Sequence, residues 1–103
     1  MTTTIYPGAT VAPSATIALS ALIQPWAWVG EGVTIARMAT VCCCAEVDHG
    51  AYIGEAVTVG FASLVGEGAL VGNGTKLPEH TRVVAGAVVP CRAFLEAITQ
   101  HTH

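Results

Sequence analysis

Every sixth residue from Ile5 to Val89 is Ile, Val or Leu, through fifteen consecutive hexads without a slip. The series runs Ile5, Val11, Ile17, Ile23, Val29, Ile35, Val41, Val47, Ile53, Val59, Val65, Val71, Leu77, Val83 and Val89. Four residues after each stands something slender: Ala at ten places, otherwise Val33, Val57, Ser63, Thr75 or Thr81. A fixed period means one structural unit stacked repeatedly, and it outranks any local propensity. Period six fits neither a helix face nor an alternating strand running on without turns. It predicts a β-helix, a solenoid of short strands and turns.

The 103 residues allow one domain at most. A compact globule this small has difficulty burying enough apolar surface. A solenoid avoids part of that difficulty, because each coil covers the next. The 52% hydrophobic content therefore does not imply a membrane protein. No stretch approaches the roughly 18 uninterrupted apolar residues of a spanning helix. The start, Met-Thr-Thr-Thr, lacks a basic segment leading into an apolar run, which argues against a secretory signal. A soluble, cytoplasmic protein is expected. A net charge of −3 with only four Lys plus Arg argues against nucleic acid as a partner, since phosphate binding needs a basic patch. The run Cys42-Cys43-Cys44 is unlike a disulfide framework and lacks the paired spacing of zinc sites, so no metal is expected.

Within each hexad the three residues after the aliphatic one are turn formers, as in Gly30-Glu31-Gly32 and Gly72-Asn73-Gly74. The other three read small, variable, aliphatic, as in Val57-Thr58-Val59, and make a very short strand. Three hexads close an eighteen-residue triangular coil, and fifteen give five coils. With no hexad lengthened, no loop should protrude. Over residues 5–94 the chain resembles the hexapeptide-repeat family, which implies an all-β, single-stranded, left-handed parallel β-helix. Residues 95–103 form the cap and tail, and Leu95–Gln100 suits a short helix that would cover the last coil's open edges. His101 and His103 belong to the tail.

Residues eighteen apart lie above one another, at a strand spacing of roughly 4.8 Å. The column through His49 reads Pro13, Glu31, His49, Glu67, Ala85. An imidazole thus stands between two carboxylate residues at a corner. Asp48 is flanked in its own column by Gly30 and Gly66, and Gly32, Gly50, Gly68 and Gly86 line the other side. Such a bare corner leaves room for a ligand. The bland alternative is an exposed charge ladder that contributes little.

The stretch Val47-Asp48-His49-Gly50-Ala51-Tyr52-Ile53-Gly54 resembles the histidine-bearing coil of hexapeptide acyltransferases, above all the sialic-acid and UDP-amino-sugar acetyltransferase branch. It is also similar to the UDP-N-acetylglucosamine acyltransferases. Ala9–Ile17 and Val83–Val89 look alike as well. The resemblance implies that His49 is a general base, taking a proton from an acceptor hydroxyl or amine as it attacks an acyl thioester. Histidine suits that task because an unperturbed imidazole exchanges its proton near neutral pH. A carboxylate beside it, from Glu31, Glu67 or Asp48, would orient the ring and steady the imidazolium. The implied co-substrate is acetyl-CoA or another acyl-CoA, held at Glu67, Gly68, Ala85 and Gly86, with no tightly bound cofactor. The chain departs from the family in two places. Glu67 stands where a Gly usually offers its N–H to the thioester oxygen, and Thr58 where the branch often has a second His. The branch's N-terminal nucleotide-sugar domain has no counterpart in these residues, so no acceptor is named.

The outward strand position gives one column per face. Thr16, Thr34, Tyr52, Leu70 and Val88 form a face with no charge, bordering the His49 corner. An uncharged stripe of this kind suits a buried contact. The resemblance implies a homotrimer with active sites in clefts between rods. Trp26 and Trp28, one at a corner and one on a face, are expected to pack. His80 shares a column with Cys44, but Ala62 separates them, so they should not share a metal. The γ-class carbonic anhydrases share the fold but need three His ligands, a pattern missing here. Two functions follow: an acyltransferase with His49 as base, or a non-catalytic trimeric scaffold or binding module that keeps the corner as a relic.

Overall fold

The computed structural model describes residues 4–92. Each hexad supplies one two-residue strand, an outward residue followed by the inward aliphatic one, from Thr4–Ile5 to Val88–Val89. The strands form three five-stranded parallel sheets. The first takes Thr4–Ile5, Leu22–Ile23, Thr40–Val41, Thr58–Val59 and Lys76–Leu77. The second takes Thr10–Val11, Trp28–Val29, Glu46–Val47, Leu64–Val65 and Arg82–Val83. The third takes Thr16–Ile17, Thr34–Ile35, Tyr52–Ile53, Leu70–Val71 and Val88–Val89. Every pairing is offset by eighteen residues, as in Thr58↔Lys76 and Leu70↔Val88. The predicted columns are therefore real neighbours in a β-solenoid of about five laps, measuring 37 × 21 × 20 Å. The described residues contain no helix, and no helix among them is long and apolar enough to cross a membrane. The helix predicted over 95–100 and the tail histidines lie outside the described residues.

The core is a rod of aliphatic side chains, with Ile23, Val29, Ile35, Val41, Val47, Ile53, Val59, Val65 and Val71 all fully buried. Burying one such side chain contributes about 1.5–3 kcal/mol. The slender residues at Ala21, Ala39, Ala45 and Ala51 are buried with them, at the inward position beside a corner that Val33 and Val57 fill in other hexads. In the first described lap the burial is thinner, with Ile5 46% exposed. Two of the polar slender positions, Ser63 and Thr75, are buried and satisfied. The Ser63 hydroxyl donates to the Pro78 carbonyl at 2.7 Å and accepts from the Thr81 amide at 3.0 Å. Thr75 likewise donates to the Pro90 carbonyl at 2.9 Å.

Three corners join the sheets. The first comprises residues 6–8, 24–26, 42–44, 60–62 and 78–80. The second comprises 12–14, 30–32, 48–50, 66–68 and 84–86, and the third 18–20, 36–38, 54–56, 72–74 and 90–92. The residue after a corner bonds back to its first residue, as in Ala15 N to Ala12 O at 3.0 Å. At every corner except 12–14 the third residue has positive φ. That is the type II turn, whose third position favours glycine. Glycine fills it at Gly8, Gly32, Gly50, Gly68, Gly74 and Gly86.

Candidate functional site

His49 sits at the middle of the second corner, between the second and third sheets. Its side chain is half exposed. The ring's position is set from the preceding lap. The Glu31 amide donates to His49 Nδ1 at 2.9 Å, while the Glu31 carbonyl accepts from Gly50 at 2.8 Å. Gly30 makes this approach possible, since a Cβ there would stand 2.7 Å from His49 Nδ1. The edge of Trp28 closes one side, its ring centroid 5.5 Å from the imidazole at an interplanar angle of 68°. Asp48 turns inward along the chain, and its Oδ1 accepts from the His49 amide at 2.7 Å while standing 3.9 Å from Nε2.

The expected carboxylate sandwich takes a different form. Glu31 reaches the ring through its main chain, its amide donating along the rod to the next lap. Asp48 is the carboxylate nearest the ring, at 3.9 Å from Nε2, beyond hydrogen-bond distance. With Nδ1 accepting the Glu31 amide, the neutral ring carries its proton on Nε2. The one free lone pair of the imidazole is thus the one the amide occupies. Sequence reasoning missed Trp28 as a wall of this corner, because positions 28 and 49 meet on a diagonal between laps rather than in one column.

A dipeptide Gly-Glu opens three corners, and the residue one lap on differs at each. Glu31 donates to His49, and Glu55 donates to Asn73 Oδ1 at 2.8 Å. Opposite Glu67 stands Ala85, which offers no acceptor, and among the described residues the Glu67 amide has no hydrogen-bond partner. Gly68 and Gly86 beside it are open, with nothing within 4 Å of where a Cβ would be. Glu67, Gly68, Ala85 and Gly86 are all exposed. The lap after His49 therefore offers an unclaimed N–H on a cleared strip, one strand spacing of about 4.8 Å along the rod.

The neighbouring third sheet is the uncharged one. Tyr52 and Leu70 are exposed in part and Val88 is 71% exposed. At the third corner, away from His49, Leu19, Ser20, Arg37, Met38, Glu55 and Ala56 line a groove of about 320 Å³. Arg37 and Glu55 pair across it at 3.2 Å. Sequence reasoning assigned nothing there.

The first corner carries three of the four cysteines, Cys42, Cys43 and Cys44, and most of the exposed aromatics, while Cys91 lies at the third corner. All four cysteines are free thiols. Burial pushes the Cys42 thiol up from its ordinary range; a hydrogen bond with Cys44 chiefly raises that of Cys43, with desolvation and the neighbouring thiols adding to it. His80 packs edge-on against Phe61 at 5.7 Å, rather than toward Cys44. Among the described residues no group of three or more His, Cys, Asp or Glu side chains is arranged to hold a metal ion.

No protein-family profile matches the chain, and no curated protein matches it. Solved structures do. A CcmM N-terminal domain in complex with CcmN is 22% identical over 88% of this chain and 90% of that one, with a TM-score of 0.72. The acetyltransferase domain of PglB from Neisseria gonorrhoeae FA1090 is 26% identical over 86% of this chain, with a TM-score of 0.56. The chain spans 49% of the length of that domain. A hexapeptide transferase family protein from Anaplasma phagocytophilum is 19% identical over 86% of this chain and 70% of that one, with a TM-score of 0.39. The structural neighbours of this chain thus include an acetyltransferase domain, and the β-solenoid built on its six-residue period is the fold it has in common with that domain and with the CcmM domain.

Proposed function

We propose that the protein is an acyltransferase, moving an acetyl or similar group from an acyl-CoA thioester to a hydroxyl or amine. The observation that carries this reading is the unclaimed Glu67 amide on the cleared strip one lap beyond His49. A free N–H one lap from an imidazole is the kind of donor a thioester carbonyl needs as it becomes an oxyanion. Similarity to the PglB acetyltransferase domain, at 26% identity, supports the same reaction class.

In this reading Glu67, Gly68, Ala85 and Gly86 receive the acyl-CoA, and His49 takes the proton from the attacking acceptor atom. Either ring nitrogen can serve only after the Glu31 amide is released, since that amide holds the free lone pair. The amide is exposed, so water can replace the ring at small cost. Asp48 then lies nearest to the imidazolium that forms. The Glu67 carboxylate has to turn outward, away from the developing negative charge. A homotrimer with the uncharged third face buried against the next rod would convert this open corner into a cleft.

A second reading is favoured by one specific parallel. Asn73 accepts the Glu55 amide just as His49 accepts that of Glu31, and asparagine has no proton chemistry to offer. His49 then satisfies a corner amide in a non-catalytic scaffold.

Thermal-shift titration with millimolar acetyl-CoA separates the two, because a ligand of the native state must raise apparent stability. A clear rise supports the transferase; no rise leaves the scaffold. His49→Asn keeps an acceptor for Glu31 while removing the base. It is expected to preserve melting temperature and lower turnover by about 10²–10⁴-fold. Wild-type turnover in that variant would take His49 out of the mechanism.

A further inference from the structure

The first corner holds chemistry that acyl transfer does not use. Cys43 and Cys44 carry their sulfurs 3.4 Å apart. The backbone under them is pinned on several sides. Cys43 N donates to Gln24 Oε1 at 3.1 Å, Cys44 N to the Pro25 carbonyl at 3.4 Å, and Ala62 N to the Cys43 carbonyl at 3.1 Å. Cys44 is exposed and occupies the left-handed turn position at φ 64°, which throws its side chain out from the rod. The residues one lap below Cys44 and one lap above Cys43 are Trp26 and Phe61. Trp26 lies over Gly8, with ring atoms 3.2 Å from where a Cβ there would be, so it leans away and leaves Cys44 uncovered.

Three ordinary uses of paired thiols fit poorly. A disulfide between neighbours is strained, because adjacent Cα atoms are about 3.8 Å apart and disulfides span about 4.4–6.8 Å. A structural zinc site needs four donors, and no third ligand joins the pair among the described residues. The bite also disagrees: with thiolate bonds of about 2.3 Å, a tetrahedral ion separates its sulfurs by about 3.8 Å and a linear one by about 4.6 Å. A right-angled, pyramidal centre with the same bonds separates them by about 3.3 Å, close to the observed spacing.

We propose that Cys43 and Cys44 form a chelating dithiol for a trivalent arsenical bearing one organic group, with Cys42 and Cys91 outside the site. Such a centre needs only two protein sulfurs, since carbon supplies its third bond. The step balances without a redox partner. Two As–S bonds form, the As=O bond and both S–H bonds break, and one water leaves.

Phenylarsine oxide added to the full chain tests this by intact-mass spectrometry. The expected product is a one-to-one adduct that survives excess glutathione and is released by 2,3-dimercaptopropanol. Cys43→Ser and Cys44→Ser should each weaken binding by about 10²–10⁴-fold, as chelation is lost, while Cys42→Ser and Cys91→Ser bind as the wild type does. Equal loss in Cys42→Ser, or undiminished binding in Cys43→Ser or Cys44→Ser, overturns the proposal. Should a variant fail to fold, protection of the wild-type cysteines from iodoacetamide decides, by peptide mapping. Protection confined to Cys43 and Cys44 upholds the site, and any other pattern removes it.

Discussion

At the second corner the left-handed turn position is glycine in four successive laps, Gly32, Gly50, Gly68 and Gly86. The first corner puts Trp26, Cys44, Ala62 and His80 in the same place, at φ between 58° and 66°. The backbone is the same piece of chain, repeated, yet one edge is bare and relaxed while the other is dressed and strained. A non-glycine residue in that conformation costs roughly 1–2 kcal/mol. The difference teaches that the scaffold does not require glycine; it tolerates side chains at a cost, and where they stand the corner is an armed surface. Bareness at the second corner is then informative in its own right, since it clears a path past His49 and the Glu67 amide.

The largest test removes what both corners share. Ile53→Ala, at a fully buried position in the middle of the rod, should lower the unfolding free energy by about 2–5 kcal/mol in urea titration. Both the histidine and the dithiol should lose their settings together. Gly30→Ala acts on one corner only. Its Cβ, 2.7 Å from His49 Nδ1, has to push the ring off the Glu31 amide, at a cost of about 1–3 kcal/mol. The change should be visible in the His49 and Glu31 NMR signals, with the reactivity of Cys43 and Cys44 unchanged. The finest test exchanges the turn residues themselves. Gly68→Ala meets open space but has φ 69°, so it should cost about 1–2 kcal/mol. Ala62→Gly, at φ 58°, should gain up to about 1 kcal/mol in the same titration. Equal effects in the two swaps would erase the distinction between the corners.

Architecture was legible because the aliphatic series never slips, so lap length, register and core could all be counted from Ile5 onward. The uncharged face through Tyr52 and Leu70 followed from the same count. The local chemistry was harder to read. A column places Glu31 beside His49 but does not say whether its carboxylate or its amide makes the contact; that depends on which way the turn points its N–H. Glycine at 8, 32, 50, 68, 74 and 86 was a usable signal for the left-handed position, since all fall third in their corners. Ser63 and Thr75 gave a fainter one. Each stands where Ala is usual, fifteen residues ahead of a proline that opens a corner, and each hydroxyl bonds to that proline's carbonyl. Contacts on a diagonal, such as Trp28 against His49, need the three-dimensional path of the chain.

The constant eighteen-residue offset between paired strands has a bearing on how such a gene can change. Duplicating or deleting one whole lap leaves every surviving side chain facing as before, so the rod can grow or shrink with its edges intact. Adding a single codon inside a strand would instead turn every later inward residue to the outside. Length is therefore free to drift in multiples of eighteen, while odd insertions are penalised throughout the downstream half of the molecule.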